Sequence, residues 1–228
     1  MGCMASDDRT TKARIRDAAI REVAERPLGS VTVRDIAAAA DVSPGSVIHH
    51  FGSMDGLREA CNEHVAAVIH TYKSKAVRPH GAFDVIADVQ GISELPVASY
   101  LAKAMLDDSP VVARLIDELT DDAVGYLEEG VEAGTILPTD DPRGRATVLL
   151  LWTLGGLVLH EHARRLLGVD LTDARALASP DAVAYAGPVL DLLSHGLLTE
   201  TYAAELTEAL AAAHAGSPPT IPPEKGHP

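Results

Sequence analysis

The chain has 228 residues, enough for one large domain or a small one joined to a larger, and 46% are hydrophobic, which supports a real core. Only 4% are aromatic, so that core is built from Ala, Leu and Val, a composition that favours helices over sheets. A net charge of −14 argues against a surface that coats nucleic acid, and two cysteines, Cys3 and Cys61, exclude a disulfide framework or a metal spacing. Asp7-Asp8-Arg9 is charged and no apolar stretch follows it. The longest apolar run, 146–159, is broken by Thr147, Thr153 and Gly155-Gly156 and is too short to span a bilayer. The expectation is a soluble cytoplasmic protein with no membrane association.

Taken in chain order, residues 1–8 read as a flexible N-terminus. A first helix follows over about 9–25, with Ile15, Ala18, Ala19 and Val23 on one face, and Pro27 and Gly29 end it. Thr32 then precedes the run 33–40, and Ser43 precedes Pro44, so each of two short helices has a hydroxyl cap and the second has proline at its first position. Asp41-Val42 makes the corner between them, Asp being one of the few residues besides glycine that tolerate a left-handed backbone. Ile36, Ala37, Ala40, Val42, Val47 and Phe51 form the expected buried set, while Ser46, His49 and His50 stay polar. This is the pattern of a helix-turn-helix, in which one helix braces and the other offers a small polar face to a DNA major groove.

Ser53 caps a long fourth helix through Leu57, Cys61, Val65 and Ile69 to about Lys75. Pro79, His80 and Gly81 mark a linker before a short helix around 82–89, and the next helix spans about 96–106. Ser109-Pro110 opens a helix that runs to Ala133 and stops at Gly134. Asp141-Pro142 opens the most apolar helix, expected to run unbroken to Leu167. Ser179-Pro180 opens another to about Leu198, with a kink near Tyr185 because Pro188 falls inside it. A final helix over about 200–214 precedes a Pro-rich tail, 216–228, expected to be disordered. The fold class is all-α: a head over 9–52 and a helical body over 53–215.

Charge is distributed unevenly. Residues 1–60 carry eight Lys/Arg against nine Asp/Glu, a balance of −1, so the rest carries −13. An acidic body behind a nearly neutral head repels DNA except at the head, although an acidic surface also serves plain solubility. In the head, Ser43, Pro44, Gly45 and Ser46 form the N-terminal half of the reading helix, with His49 a turn later. Ser46 and His49 share a face and are the first choice for base edges; Gly45 lets the backbone approach closely. Thr32, at the free amides of the preceding helix, and Arg34 are the expected phosphate clamps. Thr32 and Ser43 can equally be helix caps alone, and capping is compatible with phosphate contact.

Thr32-Val-Arg-Asp-Ile-Ala, then Val42-Ser-x-Gly-Ser-Val, then His49-His-Phe-Gly-Ser53 resemble the tetracycline-repressor (TetR) family of bacterial regulators, over about residues 12–62. Two positions depart from that family: Ile48 stands where Tyr is usual, and Met54 where Lys is usual. Both family residues touch phosphates, so His50 and the amide end of the fourth helix are left to do so. Weak non-specific binding follows, and Met54→Lys is expected to tighten binding to any sequence. The resemblance implies a homodimer on a palindromic double-stranded DNA operator, paired through its last two long helices. Leu151, Gly155 and Leu159 on one helix and Val189, Leu193 and Leu197 on the other are the expected interface, with central core helices as the alternative. It also implies a body cavity for a small-molecule effector that swings the heads apart. His70, Tyr100, Met105, Tyr126, Trp152 and His160, each with apolar bulk and a polar handle, are the candidates, although such residues are more often ordinary core or surface.

The body loosely resembles regulators of drug-efflux genes, so a repressor of such genes is the first expectation and an activator or ligand-independent regulator the alternative. Catalysis is not expected. In His160-Glu161-His162 the two imidazoles lie about 200° apart on a helix and cannot ligate one ion together, and no phosphate loop or nucleophile elbow occurs. No cofactor and no metal are expected.

Overall fold

A computed structural model describes residues 2–26, 28–77, 95–173 and 182–214. Among them every regular element is helical, as the composition predicts. The chain divides into two units, Met1–Ala182 and Val183–Pro228.

The first unit opens with α1 (Gly2–Glu25), which buries Ile15, Ala18, Ala19, Ile20 and Val23. The helix starts at Gly2 rather than Arg9, so the backbone of 2–8, expected to be flexible, continues the helix. Ser6-Asp7-Asp8 lacks apolar periodicity, which is why the pattern does not reveal this extension. A single 3-10 turn (Leu28–Ser30) leads to α2 (Val33–Ala39) and α3 (Pro44–Phe51). Two specific expectations hold at the corner: Asp41 is left-handed with φ 53°, and Ile36, Ala37, Ala40 and Val47 are buried. Val42 and Phe51 are half-buried.

Gly52 turns the chain with φ 75°, and Ser53 caps α4 (Met54–Ala76) by accepting from the Gly56 amide at 3.0 Å. Gly56 is required there, because a Cβ would sit 2.2 Å from the Phe51 carbonyl oxygen. Next come α5 (Val97–Ala104), α6 (Pro110–Glu132), α7 (Pro142–Val158) and α8 (His160–Leu167). α4 runs alongside α6 in the same direction: Glu59 pairs with Arg114, Asn62 with the Val111 carbonyl, His70 with Asp122, and Thr135 beyond α6 with the Val77 carbonyl. α5 packs on α1 of the head and on α7 of the body, so it joins the two.

The helix expected to run unbroken to Leu167 is in fact two, α7 and α8, bent by 77° at Leu159. Gly155-Gly156 lies one turn before the break and lowers the cost of leaving helical geometry. Beyond α8, Gly168 adopts φ 74°, and Val169 and Leu171 are buried. A pattern of apolar residues cannot show this bend, since both arms are helical. Among the described residues no single helix is long and apolar enough to cross a membrane.

The second unit contains α9 (Val183–His195), which includes Pro188, and α10 (Glu200–His214). Pro188 cannot donate to the Ala184 carbonyl. The helix expected at 82–89, the Ser179-Pro180 start and the Pro-rich tail lie outside the described residues.

Candidate nucleic-acid interface and helical body

The head is organised by two caps. The Thr32 hydroxyl accepts from the Asp35 amide at 3.3 Å and donates to Asp35 Oδ2 at 2.6 Å, while the Thr32 amide donates to the same oxygen at 2.9 Å. This reciprocal capping box satisfies two otherwise orphaned amides at the start of α2. The Thr32 hydroxyl and amide hold the Asp35 carboxyl below its ordinary value, with a smaller contribution from Arg26 at 3.7 Å. Ser43 Oγ accepts from the Ser46 amide at 3.1 Å and starts α3, with Pro44 inside its first turn.

These caps leave an open face. Thr32, Arg34, Ser43, Pro44, Gly45 and His49 are exposed, and Ser46 and His50 are half-buried. Thr32 is thus committed to Asp35 through its hydroxyl, and what it leaves for an anion is the set of free amides in the first turn of α2. Ser43 accepts at its oxygen and keeps its hydroxyl proton to donate. His49, His50 and Phe51 form a row of edge-on rings with centroids 5.5 and 6.4 Å apart, and Lys12 of α1 lies 5.4 Å above the Phe51 ring. Lys12 was not among the sequence candidates. It belongs to a different helix, and only folding brings its ammonium to the end of α3.

Met54 takes a place that its sequence position does not reveal. It opens α4, yet it lines a small apolar cavity with Ala19, Val23, Leu57, Cys61 and Tyr100, at the joint of head and body. A lysine at this site would trade that packing for a charge, so the simple tightening expected of Met54→Lys is offset by a cost to the joint. The cavity measures about 10 Å³ and its surface is almost wholly apolar, with room for at most one water.

Of the six effector candidates, only Tyr100 lines this cavity. Its hydroxyl donates to Asn62 Oδ1 at 2.6 Å, Asn62 Nδ2 reaches the Val111 carbonyl at 3.3 Å, and both side chains are buried. Asn62, which ties α4, α5 and the start of α6 together, carries no sequence signal beyond being polar on an apolar face. Desolvation pushes the Tyr100 hydroxyl well above its ordinary value and raises that of Tyr126. Tyr126 packs against the cluster Ala123, Leu127 and Ala146. His70 lies 3.4 Å from Asp122 on the α4–α6 seam. Met105 is half-buried just past α5. His160 sits at the bend, 3.7 Å from Asp170, with its Nδ1 buried and without a hydrogen bond. Trp152 is 64% exposed.

That exposure places Trp152 in a stripe. Val148, Leu151 and Trp152 are exposed at helical spacing on α7, as is Leu159 at its C-terminal cap, and a Cβ added at Gly155 would meet open space. On α9, Leu190 and Leu193 are exposed, as is Leu197 just beyond it; Val189 is half-buried.

Comparison with known proteins matches both parts of the chain. Residues 15–61 match the family described as "Bacterial regulatory proteins, tetR family", and residues 93–199 match "Tetracyclin repressor-like, C-terminal domain". The chain is 38% identical over 209 residues to the HTH-type transcriptional regulatory protein RaaS of Mycobacterium tuberculosis, spanning 90% of this chain and 96% of that one. Over 54 residues it is 41% identical to the HTH-type transcriptional regulator BetI of Burkholderia thailandensis, covering 24% of this chain and 28% of that one. The fold is similar to that of a TetR-family transcriptional regulator from Rhodococcus sp., at 20% identity, TM-score 0.55, and coverage of 81% and 98%. It is also similar to FadR from Bacillus subtilis, solved in complex with stearoyl-CoA, at 17% identity, TM-score 0.50, and coverage of 82% and 99%. With a helix-turn-helix at its N-terminus and a relative matched along nearly its whole length, the chain belongs to the tetR family of helix-turn-helix transcriptional regulators, which bind DNA and are not enzymes.

Proposed function

We propose that the chain is a ligand-responsive repressor that binds a palindromic operator as a homodimer and leaves it when a small-molecule effector enters the body. The head, 9–52, reads DNA; the body, 53–215, pairs and switches. The observation that carries this reading is the exposed, capped N-terminal half of α3, with Ser46 and His49 on one face and Arg34 and the first-turn amides of α2 beside it. Ser46 and His49 contact base edges. Arg34, Ser43, the amides behind Thr32, and Lys12 contact phosphates.

A single head reads too few base pairs for specificity, so two must act together. The uncovered stripes on α7 and α9 support pairing through those helices, and Trp152 is assigned to this surface rather than to an effector pocket. The cavity at the head–body joint is far too small for an effector, so the effector site is assigned to the body beyond it, coupled to the head through α5. Efflux genes are the first targets to assay.

The test is selection of bound duplexes from a random-sequence library by the full-length chain. A palindrome with half-sites about one helical turn apart, or a multiple of it, is expected. Recovery of an asymmetric single site, or of no enriched sequence, would sink the reading. On the selected operator the log–log salt slope should be no steeper than about −8 for the dimer, since the reading helix has no lysine or arginine. Thermal-shift screening against efflux substrates and acyl-CoAs then tests the effector arm.

A further inference from the structure

Hydroxyls inside the helices of this chain bond back to their own helix. Thr71, Thr120, Thr147 and Thr153 each donate to the carbonyl four residues before. Ser74 on α4 departs from this habit. It is 8% exposed, and its Oγ is buried without a hydrogen-bond partner. Buried hydroxyls are almost always paired, so this one is set apart for a group that the chain does not supply.

Lys73, the residue before it, is half-buried. Lysine ordinarily lays its stem on the surface and keeps the ammonium in water. Here the ammonium itself is withdrawn: desolvation lowers it below its ordinary value, and among the described residues no carboxylate holds it up. Other cations of the body are matched, Arg58 with Asp55, Arg114 with Glu59, Arg143 with Asp121 and Arg164 with Glu161. The polar groups on either side of Ser74 are satisfied as well. His70, one turn before it, lies 3.4 Å from Asp122 of α6, and Val77, three residues after it, accepts from Thr135 through its carbonyl. The unmet donors are thus confined to one place, near the end of α4 on the flank that meets α6.

Water would answer the hydroxyl but leave the charge unmatched, and a cation would be repelled. An anion satisfies both groups at once, through charge-assisted hydrogen bonds. We infer that the Lys73–Ser74 end of the body binds an organic anion, whose carboxylate or phosphate oxygens accept from the Lys73 ammonium and the Ser74 hydroxyl. Val77 and Ile136, which crowd Gly130 at the same end of α4, suit an apolar remainder of that ligand. This inference rests on the reading that the body takes an effector, and it gives that effector a chemical class and an anchor.

The experiment is isothermal titration of the full-length chain at neutral pH with four probes that share one tail: octanoate, octyl phosphate, octanol and octylammonium. At least one of the two anions should bind, and comparison of the two tells which head the site takes; octanol and octylammonium should not bind. Lys73→Met and Ser74→Ala should each weaken the bound anion about tenfold or more, the loss of one hydrogen bond to a charged group. Lys75→Met, at an exposed position on the same helix, should keep the parent's affinity. Both site variants should melt no lower than the parent, because neither removes a partner from another group. If Lys73→Met does not fold, Ser74→Ala decides. The inference is overturned if neither anion binds the parent, if octanol binds as tightly as the anions, or if the folded site variants keep the parent's affinity. A fall in melting temperature in both variants would make these structural residues and overturn it too. Operator binding, followed by fluorescence anisotropy, separates the two readings. An anion that binds through Lys73 and leaves the operator complex intact upholds this site and overturns the ligand-responsive reading. Release of the operator by octanol or octylammonium alone upholds that reading and overturns this inference.

Discussion

Single side chains set the joint between head and body. Tyr100 donates its hydroxyl to Asn62 inside a buried contact of α4, α5 and α6. Tyr100→Phe leaves Asn62 Oδ1 without its partner and should cost about 1–3 kcal/mol in urea unfolding. Adding Asn62→Leu should recover part of that loss, because an apolar pair needs no partner; a fully additive double variant would contradict the pairing. At the head, the lowered Asp35 carboxyl makes a prediction with a definite sign. Its stabilisation is fully present above the ordinary carboxylate value of 3.8 and is lost as pH falls through the lower folded value. Asp35→Asn should therefore be less stable than the parent at pH 5, and the gap should close as pH falls below the ordinary carboxylate value. A gap in the urea midpoint that persists at the lowest pH would rule out this account.

At the scale of elements, the caps were legible because they are local. Thr32, Ser43 and Ser53 each precede their helix by one residue and each accepts from the amide three residues on. The left-handed Asp41 was legible for the same reason. The bend at Leu159 was not, since both arms read as helix and the apolar pattern does not encode the 77° between them. Gly155 is where this element would meet a second copy in the proposed dimer. A side chain there meets open space within the protomer, so Gly155→Leu should leave the thermal stability of the isolated protomer equal or slightly raised. The same change should weaken dimerisation at least tenfold in analytical ultracentrifugation, because it blocks close helix approach. Unchanged dimerisation would place the interface elsewhere.

For the whole molecule, the acidic excess lies outside the head, and the uncovered apolar stripes lie on α7 and α9. If those stripes pair the heads, Leu151→Glu with Leu193→Glu should give a folded monomer in light scattering. Operator affinity should drop by about a hundredfold or more, since each head then binds alone. A dimer that survives both charges would refute pairing through these faces.

What the sequence determined by itself was the class of fold, the place of the two head helices, their caps and corner, and the family. Each of these is carried by residues within a few positions of one another, where hydrogen bonds and helical periodicity act. Only tertiary structure decided that Lys12 reaches Phe51, that Met54 faces the head–body joint, that Trp152 lies on an open stripe, and that Tyr100 and Asn62 share a bond. These depend on contacts between helices far apart in the chain. A side chain's residue type says what it can do, and the neighbours that folding brings decide which of those things it does.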